Sequence, residues 1–119
     1  MIKIIVGTNR KNSVSKTIAE LYQAILKERG EHSEILELEN LPGDFIENAL
    51  YENNGKHDLY NEFHDQLVGG KKFVFIVPEY NGSFPGILKT FIDGMTYPNT
   101  FRNKKCALVG ISSGIGGGG

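Results

Sequence analysis

The sequence predicts an α/β protein built around a parallel sheet that is covered by helices on both faces. Apolar runs that suit buried strands alternate along the chain with segments whose apolar residues recur at helical spacing. The order strand, helix, strand, helix, strand, helix, strand implies right-handed crossovers, which place the strands in parallel. With 119 residues, the chain has room for one domain, one core and no dividing linker.

Seven periodic segments and one irregular stretch account for most of the chain. The predicted strands cover residues 2–6, 34–38, 73–77 and 106–111, and the predicted helices cover a stretch ending near Gly30, residues 60–68 and the segment after Pro85. Apolar and charged residues alternate in 34–38, so this strand has a wetter face and should lie near a sheet edge. Residues 40–58 are polar and are interpreted as a surface connection containing one helical turn.

Composition and charge disfavour several classes of protein. The formal net charge is −1, whereas nucleic-acid and anionic-membrane partners require a basic surface. The apolar runs are too short to span a bilayer, and no signal-peptide pattern opens the chain. The lone Cys106 lies in an apolar run where burial is expected and cannot form an internal disulfide, which favours a cytoplasmic protein. His32, His57 and His64 lack the spacing of metal ligands.

The loop between the first strand and the first helix suits a terminal phosphate. Hydroxyl groups, a guanidinium and the backbone N–H groups at a helix start all donate to phosphate oxygens. The candidate ligands are Thr8, Asn9, Arg10, Ser13, Ser15 and Lys16. The loop lacks both G-x-G-x-x-G and G-K-[ST], which disfavours a dinucleotide-binding Rossmann site and a nucleotide hydrolase. The simpler alternative is that Ser13 only caps the helix, an interaction worth about 1 kcal/mol.

A second polar loop follows the buried strand at residues 73–77. Pro78 ends the strand, and helical spacing resumes after Pro85. A loop at the carboxyl end of such a strand is where open α/β sheets bind ligands. Pro78 is expected to leave the following N–H groups free, and backbone groups from Glu79 to Gly82 with the Asn81 amide suit a flat heterocycle whose edge carries carbonyls and an N–H. The simpler alternative is a solvated strand-to-helix connection.

The string Pro78-Glu79-Tyr80-Asn81 closely resembles the flavin-ring loop of the NADPH-dependent FMN reductases, a flavodoxin-like family. The resemblance implies a three-layer sandwich with strand order 2-1-3-4-5. This chain supplies four strands, so the fifth strand and the closing helix are expected to be missing and residues 1–119 to form one incomplete FMN-binding domain. The run 106–111 would then lie at a sheet edge with exposed apolar side chains, and the chain would self-associate or require further residues.

The same resemblance assigns residues to the flavin ring. Those in the second loop are Pro78, Glu79, Tyr80, Asn81, Gly82 and Ser83, and those in a looser match after the last strand are Ser112, Ser113 and Gly114. Small residues suit a backbone that lies close to a flat cofactor. The glycine-rich end of the chain fits a disordered tail equally well.

The resemblance implies an FMN-dependent oxidoreductase that takes hydride from NADPH or NADH and passes electrons to a quinone, a flavin or a similar small acceptor. The cofactor performs this chemistry, so no residue is assigned a catalytic role. Members of the family commonly form homodimers or homotetramers. Two alternatives remain open: a flavodoxin-type FMN electron carrier without enzymic activity, and a flavin-free remnant.

Overall fold

Four parallel strands form a single sheet in the computed structural model, which describes residues 1–114. The strands are β1 (Ile2–Val6), β2 (Ser33–Glu37), β3 (Lys72–Pro78) and β4 (Lys105–Ile111), in the order β2-β1-β3-β4. The predicted order 2-1-3-4 is confirmed, and so is the position of β2 at an edge. β2 ends one residue earlier than expected because Leu38 begins a 3-10 turn and is buried.

Helices cover both faces of this sheet, as predicted. They are α1 (Val14–Glu28), α2 (Phe45–Asn48), α3 (Asp58–Val68) and α4 (Gly86–Asp93). One face of the two central strands packs against α1 and the other packs against α2, α3 and α4. The arrangement is therefore a three-layer sandwich. Within residues 1–114, no helix is long and apolar enough to cross a membrane.

The side chains of β1 and β3 alternate between two separate cores. Ile4 and Ile76 are fully buried on the α1 side. Ile5 and Phe73 are buried on the other side, among residues of α3 and α4. Central strands that are apolar on both faces are typical of a parallel sheet between two helical layers.

The segment 40–58 contributes more to the core than the sequence analysis expected. It holds the one-turn helix α2 and one 3-10 turn, and three of its side chains are buried, namely Phe45, Ala49 and Leu50. The ring of Phe45 stacks on that of Tyr60, with the centroids 5.6 Å apart. These apolar residues were overlooked because the many polar neighbours hide their i, i+4, i+5 spacing.

The expectation that β4 is a buried strand is wrong within the described residues. β4 pairs with β3 along one edge, and no strand of residues 1–114 pairs with its other edge. Leu108 is 77% exposed, and Cys106 is exposed rather than buried. The alternative expectation of a sheet edge with exposed apolar side chains is confirmed. An apolar run predicts burial only when neighbouring elements cover it on both sides.

Gly94 fills a position where the core leaves no space for a side chain. A Cβ there would overlap the Tyr60 hydroxyl, which donates to the Phe91 carbonyl at 2.9 Å, and would lie 2.7 Å from Leu50 Cδ2. We expect Gly94→Ala to lower the free energy of unfolding by about 1–3 kcal/mol, because an overpacked core must shift. Urea denaturation followed by circular dichroism measures this loss.

Gly69→Ala is the matched control for this prediction. The nearest atom to a Cβ at Gly69 is the Asp65 carbonyl oxygen at 3.6 Å, an ordinary contact, and its φ of −71° suits alanine. This variant should be as stable as the parent or slightly more so. Equal stability of the two variants would contradict the packing argument.

Candidate functional site

The strand order brings three loops together at the carboxyl edge of the sheet. The ladder between β1 and β3 continues past the end of β1, where the Gly7 N–H donates to the Ile76 carbonyl at 2.8 Å. The ladder between β3 and β4 continues in the same way, where the Glu79 N–H donates to the Ile111 carbonyl at 2.8 Å. Loops 7–13, 79–85 and 112–114 are therefore neighbours. This edge is the usual ligand site of open α/β sheets.

Gly7 is required where the chain leaves β1 and enters the first loop. A Cβ at this position would lie 2.9 Å from the Ile76 carbonyl oxygen and 3.3 Å from Leu88 Cδ2. The Ile76 carbonyl oxygen already accepts the Gly7 N–H, so neither this oxygen nor the Gly7 backbone can move aside without weakening that hydrogen bond. The glycine therefore fixes how closely the first loop approaches β3.

Thr8 turns its side chain into the protein and is only 1% exposed. Its Oγ1 lies 2.7 Å from the Tyr80 hydroxyl and accepts the Arg10 N–H at 3.2 Å. The hydroxyl predicted to contact a phosphate is thus used inside the chain in this structure, where it links the first loop to the second. Ser15 is also buried, at 2% exposed.

Ser13 begins helix α1 as an N-cap, as the simpler sequence interpretation held. Its backbone is extended, with φ −71° and ψ 151°, and its Oγ accepts the Lys16 N–H at 3.1 Å. The N–H groups of Val14 and Ser15 have no acceptor within the helix, as at any helix start. These two donors and the helix dipole make the loop attractive to an anion.

The charged side chains of the first loop are placed differently from one another. Arg10 is exposed, as is Asn9. Lys16 instead forms a salt bridge to Glu37 at the end of β2, with Nζ and Oε1 3.2 Å apart. The hydrogen bond to the Glu37 carboxylate raises the pKa of Lys16, and the ion-pair attraction adds to the effect. Arg10 is therefore more accessible to an incoming anion than Lys16, and the neighbouring Lys11 is exposed as well.

The second loop is a tight hairpin turn centred on Asn81 and Gly82. Both residues have positive φ, 53° and 81°, the requirement of a type I′ turn. Tyr80 and Ser83 flank them and exchange two backbone hydrogen bonds, at 2.8 and 3.2 Å. The Glu79 carboxylate also accepts the Gly82 N–H at 2.7 Å. Three interactions therefore fix the shape of this turn.

The expectation that Pro78 leaves the following N–H groups free is wrong for most of the turn. The N–H groups of Glu79, Tyr80, Gly82 and Ser83 all donate within the chain. The extended β3–β4 ladder and the turn itself occupy them. Among residues 1–114, Asn81 makes no such bond, and its amide and N–H stand exposed at the tip of the turn.

The third loop lies beside the second because the Ile111 carbonyl receives the Glu79 N–H. Ser112 is half-buried, and its Oγ accepts the Gly114 N–H at 3.0 Å, which forms a small local turn. Ser113 and Gly114 are exposed. The structure thus brings this segment to the same edge as the first two loops. Residues 115–119, which complete the glycine-rich end, lie outside the described residues.

An apolar groove of about 470 Å³ opens next to the second loop and was not predicted. It runs between α4 and β4, and its walls include Phe84, Leu88 and Leu108. Phe84 is 50% exposed at its rim. No local pattern of residues predicts this groove, because its walls come from three separate segments of the chain.

Two contacts in the site were missed by sequence reasoning. The Glu79 cap on the Gly82 N–H had an available signal, since Asn-Gly after a strand is the strongest short-range mark of a type I′ turn. The contact between Thr8 and Tyr80 had none, because the two residues are 72 positions apart. Among residues 1–114, no group of three His, Cys, Asp or Glu side chains is arranged to hold a metal ion.

Known proteins share both this fold and this sequence pattern. The family model described as NADPH-dependent FMN reductase matches residues 1–119. A quinone reductase of Pseudomonas putida is 30% identical, over 98% of this chain and 62% of that protein. An NAD(P)H:quinone oxidoreductase of Solanum tuberosum is 30% identical, over 94% of this chain and 58% of that protein.

A solved structure supports the same assignment. The flavoenzyme NAD(P)H:(acceptor) oxidoreductase FerB from Paracoccus denitrificans superposes with a TM-score of 0.70 and 25% identity, over 93% of this chain and 59% of that chain. The fold and the loops at its carboxyl edge define a flavodoxin-like α/β protein. The chain belongs to the NADPH-dependent FMN reductase family. It spans about 60% of the length of the curated relatives it matches.

Proposed function

We propose that this chain forms the FMN-binding part of an NAD(P)H-dependent oxidoreductase. It would pass hydride from NADPH or NADH through FMN to a quinone, a flavin or a similar small acceptor. One observation carries the proposal. A helix start suited to an anion lies at the same sheet edge as a rigid Asn-Gly turn with an unused amide. The family and the names of the relatives support the same chemistry.

The first loop fits the phosphate end of FMN. The N–H groups of Val14 and Ser15 have no acceptor within the first turn of a 15-residue helix, and Arg10 lies exposed in the same loop. Asn9, Lys11 and Asn12 are further exposed donors of this loop, and Ser13 is half-buried. Thr8 and Lys16 would act indirectly, because Thr8 is bonded to Tyr80 and Lys16 to Glu37.

The second and third loops fit the ring end. Asn81 offers an amide donor, an amide acceptor and a backbone N–H, the groups that match the pyrimidine edge of a flavin. This residue is held in place by the hydrogen bonds of the turn, which are made by Glu79, Tyr80, Gly82 and Ser83. Pro78 ends β3 just before the turn. Ser112, Ser113 and Gly114 would border the ring with small side chains.

Bound FMN would supply the hydride-accepting chemistry, and the chain would bind, orient and stabilise it. The fixed donor at Asn81 favours negative charge that develops on the adjacent ring carbonyls, since its dipole needs no reorganisation. No side chain is assigned a proton transfer. The helix start and Arg10 would hold the phosphate at the end of the site away from the flavin ring. They would thereby fix the orientation of FMN in the site.

Two measurements separate this proposal from its rivals. A purified protein that is yellow and releases FMN on denaturation excludes a flavin-free remnant. Oxidation of NADPH that depends on added quinone excludes a simple electron carrier. The relatives are named for quinone reduction, which favours the enzyme over the carrier.

We also propose that the chain forms a homodimer through the free edge of β4, as a cytoplasmic protein. Leu108 and Cys106 are exposed on this strand, and the ladder groups along its outer edge face no strand of residues 1–114. The same edge of a second copy satisfies them by antiparallel two-fold pairing. A reducing compartment keeps the exposed Cys106 thiol free of disulfides at this edge.

The first prediction concerns the phosphate. We expect Arg10→Ala to weaken FMN binding by about 1.5–3 kcal/mol, because a charged hydrogen bond to the phosphate is lost. Riboflavin, which lacks the phosphate, should bind with nearly unchanged affinity. Quenching of flavin fluorescence measures both dissociation constants. Arg29→Ala, which removes the same charge beyond the other end of α1, is the control and should change neither. Equal losses for both flavins would contradict the assignment of Arg10.

The second prediction concerns the ring. Asn81→Gly keeps the positive φ of the turn but removes the amide, so flavin affinity should fall by about 1–3 kcal/mol. FMN and riboflavin should lose the same amount, because both carry the ring, and the reduction potential of the bound flavin should shift. Asn103→Gly is the control, since Asn103 has a φ of 59° and precedes the amino end of β4. Unchanged titrations and potential would mean that Asn81 serves the turn alone.

The third prediction concerns association. Leu108→Lys should convert a dimeric protein to a monomer, because it places a charge on the pairing strand. Sedimentation velocity at several concentrations measures the change. Leu21→Lys is the control, since Leu21 is 56% exposed on α1, and it should leave the dimer intact. A parent protein that sediments as a monomer at all concentrations would contradict the proposed interface.

A further inference from the structure

One hydrogen bond joins the two loops that the proposed function assigns to opposite ends of the flavin. The hydroxyl groups of Tyr80 and Thr8 lie 2.7 Å apart, and Thr8 is 1% exposed. Among residues 1–114, this is the one hydrogen bond between residues 8–13 and residues 79–85. This pair is therefore the direct polar link between the two loops, in addition to the sheet that carries both of them.

The Tyr80 end of the link is held firmly. The residue exchanges two backbone hydrogen bonds with Ser83 across the type I′ turn, and the neighbouring Glu79 carboxylate caps the Gly82 N–H. The Glu79 backbone in turn donates to Ile111 in the ladder with β4. The phenol ring thus extends from a segment that is fixed on both sides. The hydrogen bond to Thr8 Oγ1 then keeps the ring turned toward the first loop.

Thr8 connects the Tyr80 hydroxyl to the backbone of the first loop. A threonine hydroxyl has one donor and two acceptor lone pairs, and here it accepts the Arg10 N–H at 3.2 Å while it pairs with Tyr80. Removal of the phenol hydroxyl leaves the buried Thr8 hydroxyl with one partner fewer and frees its rotamer. The backbone at Arg10, whose side chain is one of the exposed cations of the loop, then loses its fixed anchor.

We infer that Tyr80 is a positioning residue that sets the phosphate loop through Thr8, in addition to any contact with the ring. The inference rests on the proposed FMN site. In ligand-free protein it means that the ring turn holds Arg10 in its binding position. In the bound state it means that contacts at one end of the cofactor strengthen those at the other end.

The test compares Tyr80→Phe, Thr8→Val and the double variant for binding of FMN and riboflavin by fluorescence quenching. Each single variant should weaken FMN roughly fivefold, as expected for one net hydrogen bond, and weaken riboflavin much less. The double variant should be no weaker than either single variant, because both break the same link. Thr8→Ser keeps the hydroxyl and should restore the parent affinity. Tyr22→Phe on α1 is the control for loss of a phenol hydroxyl.

A second measurement needs no flavin. In ligand-free protein, Tyr80→Phe should raise the hydrogen-exchange rate of the Arg10 amide, followed by NMR, while Tyr22→Phe leaves it unchanged. Parent protein that binds no flavin would refute the proposed function, and the exchange result would still decide the coupling. Equal losses for FMN and riboflavin, additive losses in the double variant, or an unchanged Arg10 exchange rate would each overturn the inference.

Discussion

The parallel pairing of β1 with β3 is the constraint on which the rest of the site depends. The two strands are not consecutive in sequence, yet they lie side by side in the sheet with Val6 opposite Ile76. Because β1 ends opposite Ile76 and β3 runs only two residues further, to Pro78, the two loops leave the same edge of the sheet as neighbours. A slip of one residue would exchange the two faces of a strand and bury Ile4 and Ile5 in the wrong cores. The apolar pattern of the central strands therefore fixes the register, and the register fixes the distance between the loops.

Much of this fold was predictable because the central strands are simple. Apolar runs at 2–6 and 73–77 have one plausible place in an α/β protein, between two helical layers. The prediction was wrong where burial depends on distant partners. Phe45 reaches the core because Tyr60 offers a stacking surface, and Leu108 is exposed because no described strand lies beside it. Neither fact can be read from the local pattern of residues.

In the site, too, the local sequence pattern predicted where residues lie but not which groups they contact. The positions of the loops followed from strand ends, and the cap at Ser13 followed from residue type. The acceptor that each backbone N–H uses could not be predicted in this way. An N–H points to solvent or into the chain according to backbone torsion angles, which the sequence only suggests. Glu79 and Thr8 were predicted to face a ligand, and the structure shows each of them also bonded to its own chain. Polar residues in a loop predict hydrogen bonding more reliably than they predict the partner.

The Asn81-Gly82 turn also has a consequence for the thermodynamics of recognition. A flexible loop loses conformational entropy when it closes on a ligand, at roughly 1–2 kcal/mol for each backbone residue that becomes ordered. Here the Tyr80–Ser83 pair and the Glu79 cap have already imposed that order. A ligand that meets this turn retains more of its interaction energy as affinity, because little is lost in arranging the protein around it. The same rigidity disfavours ligands of another shape, so the turn would select among flat heterocycles by geometry rather than by adapting to them.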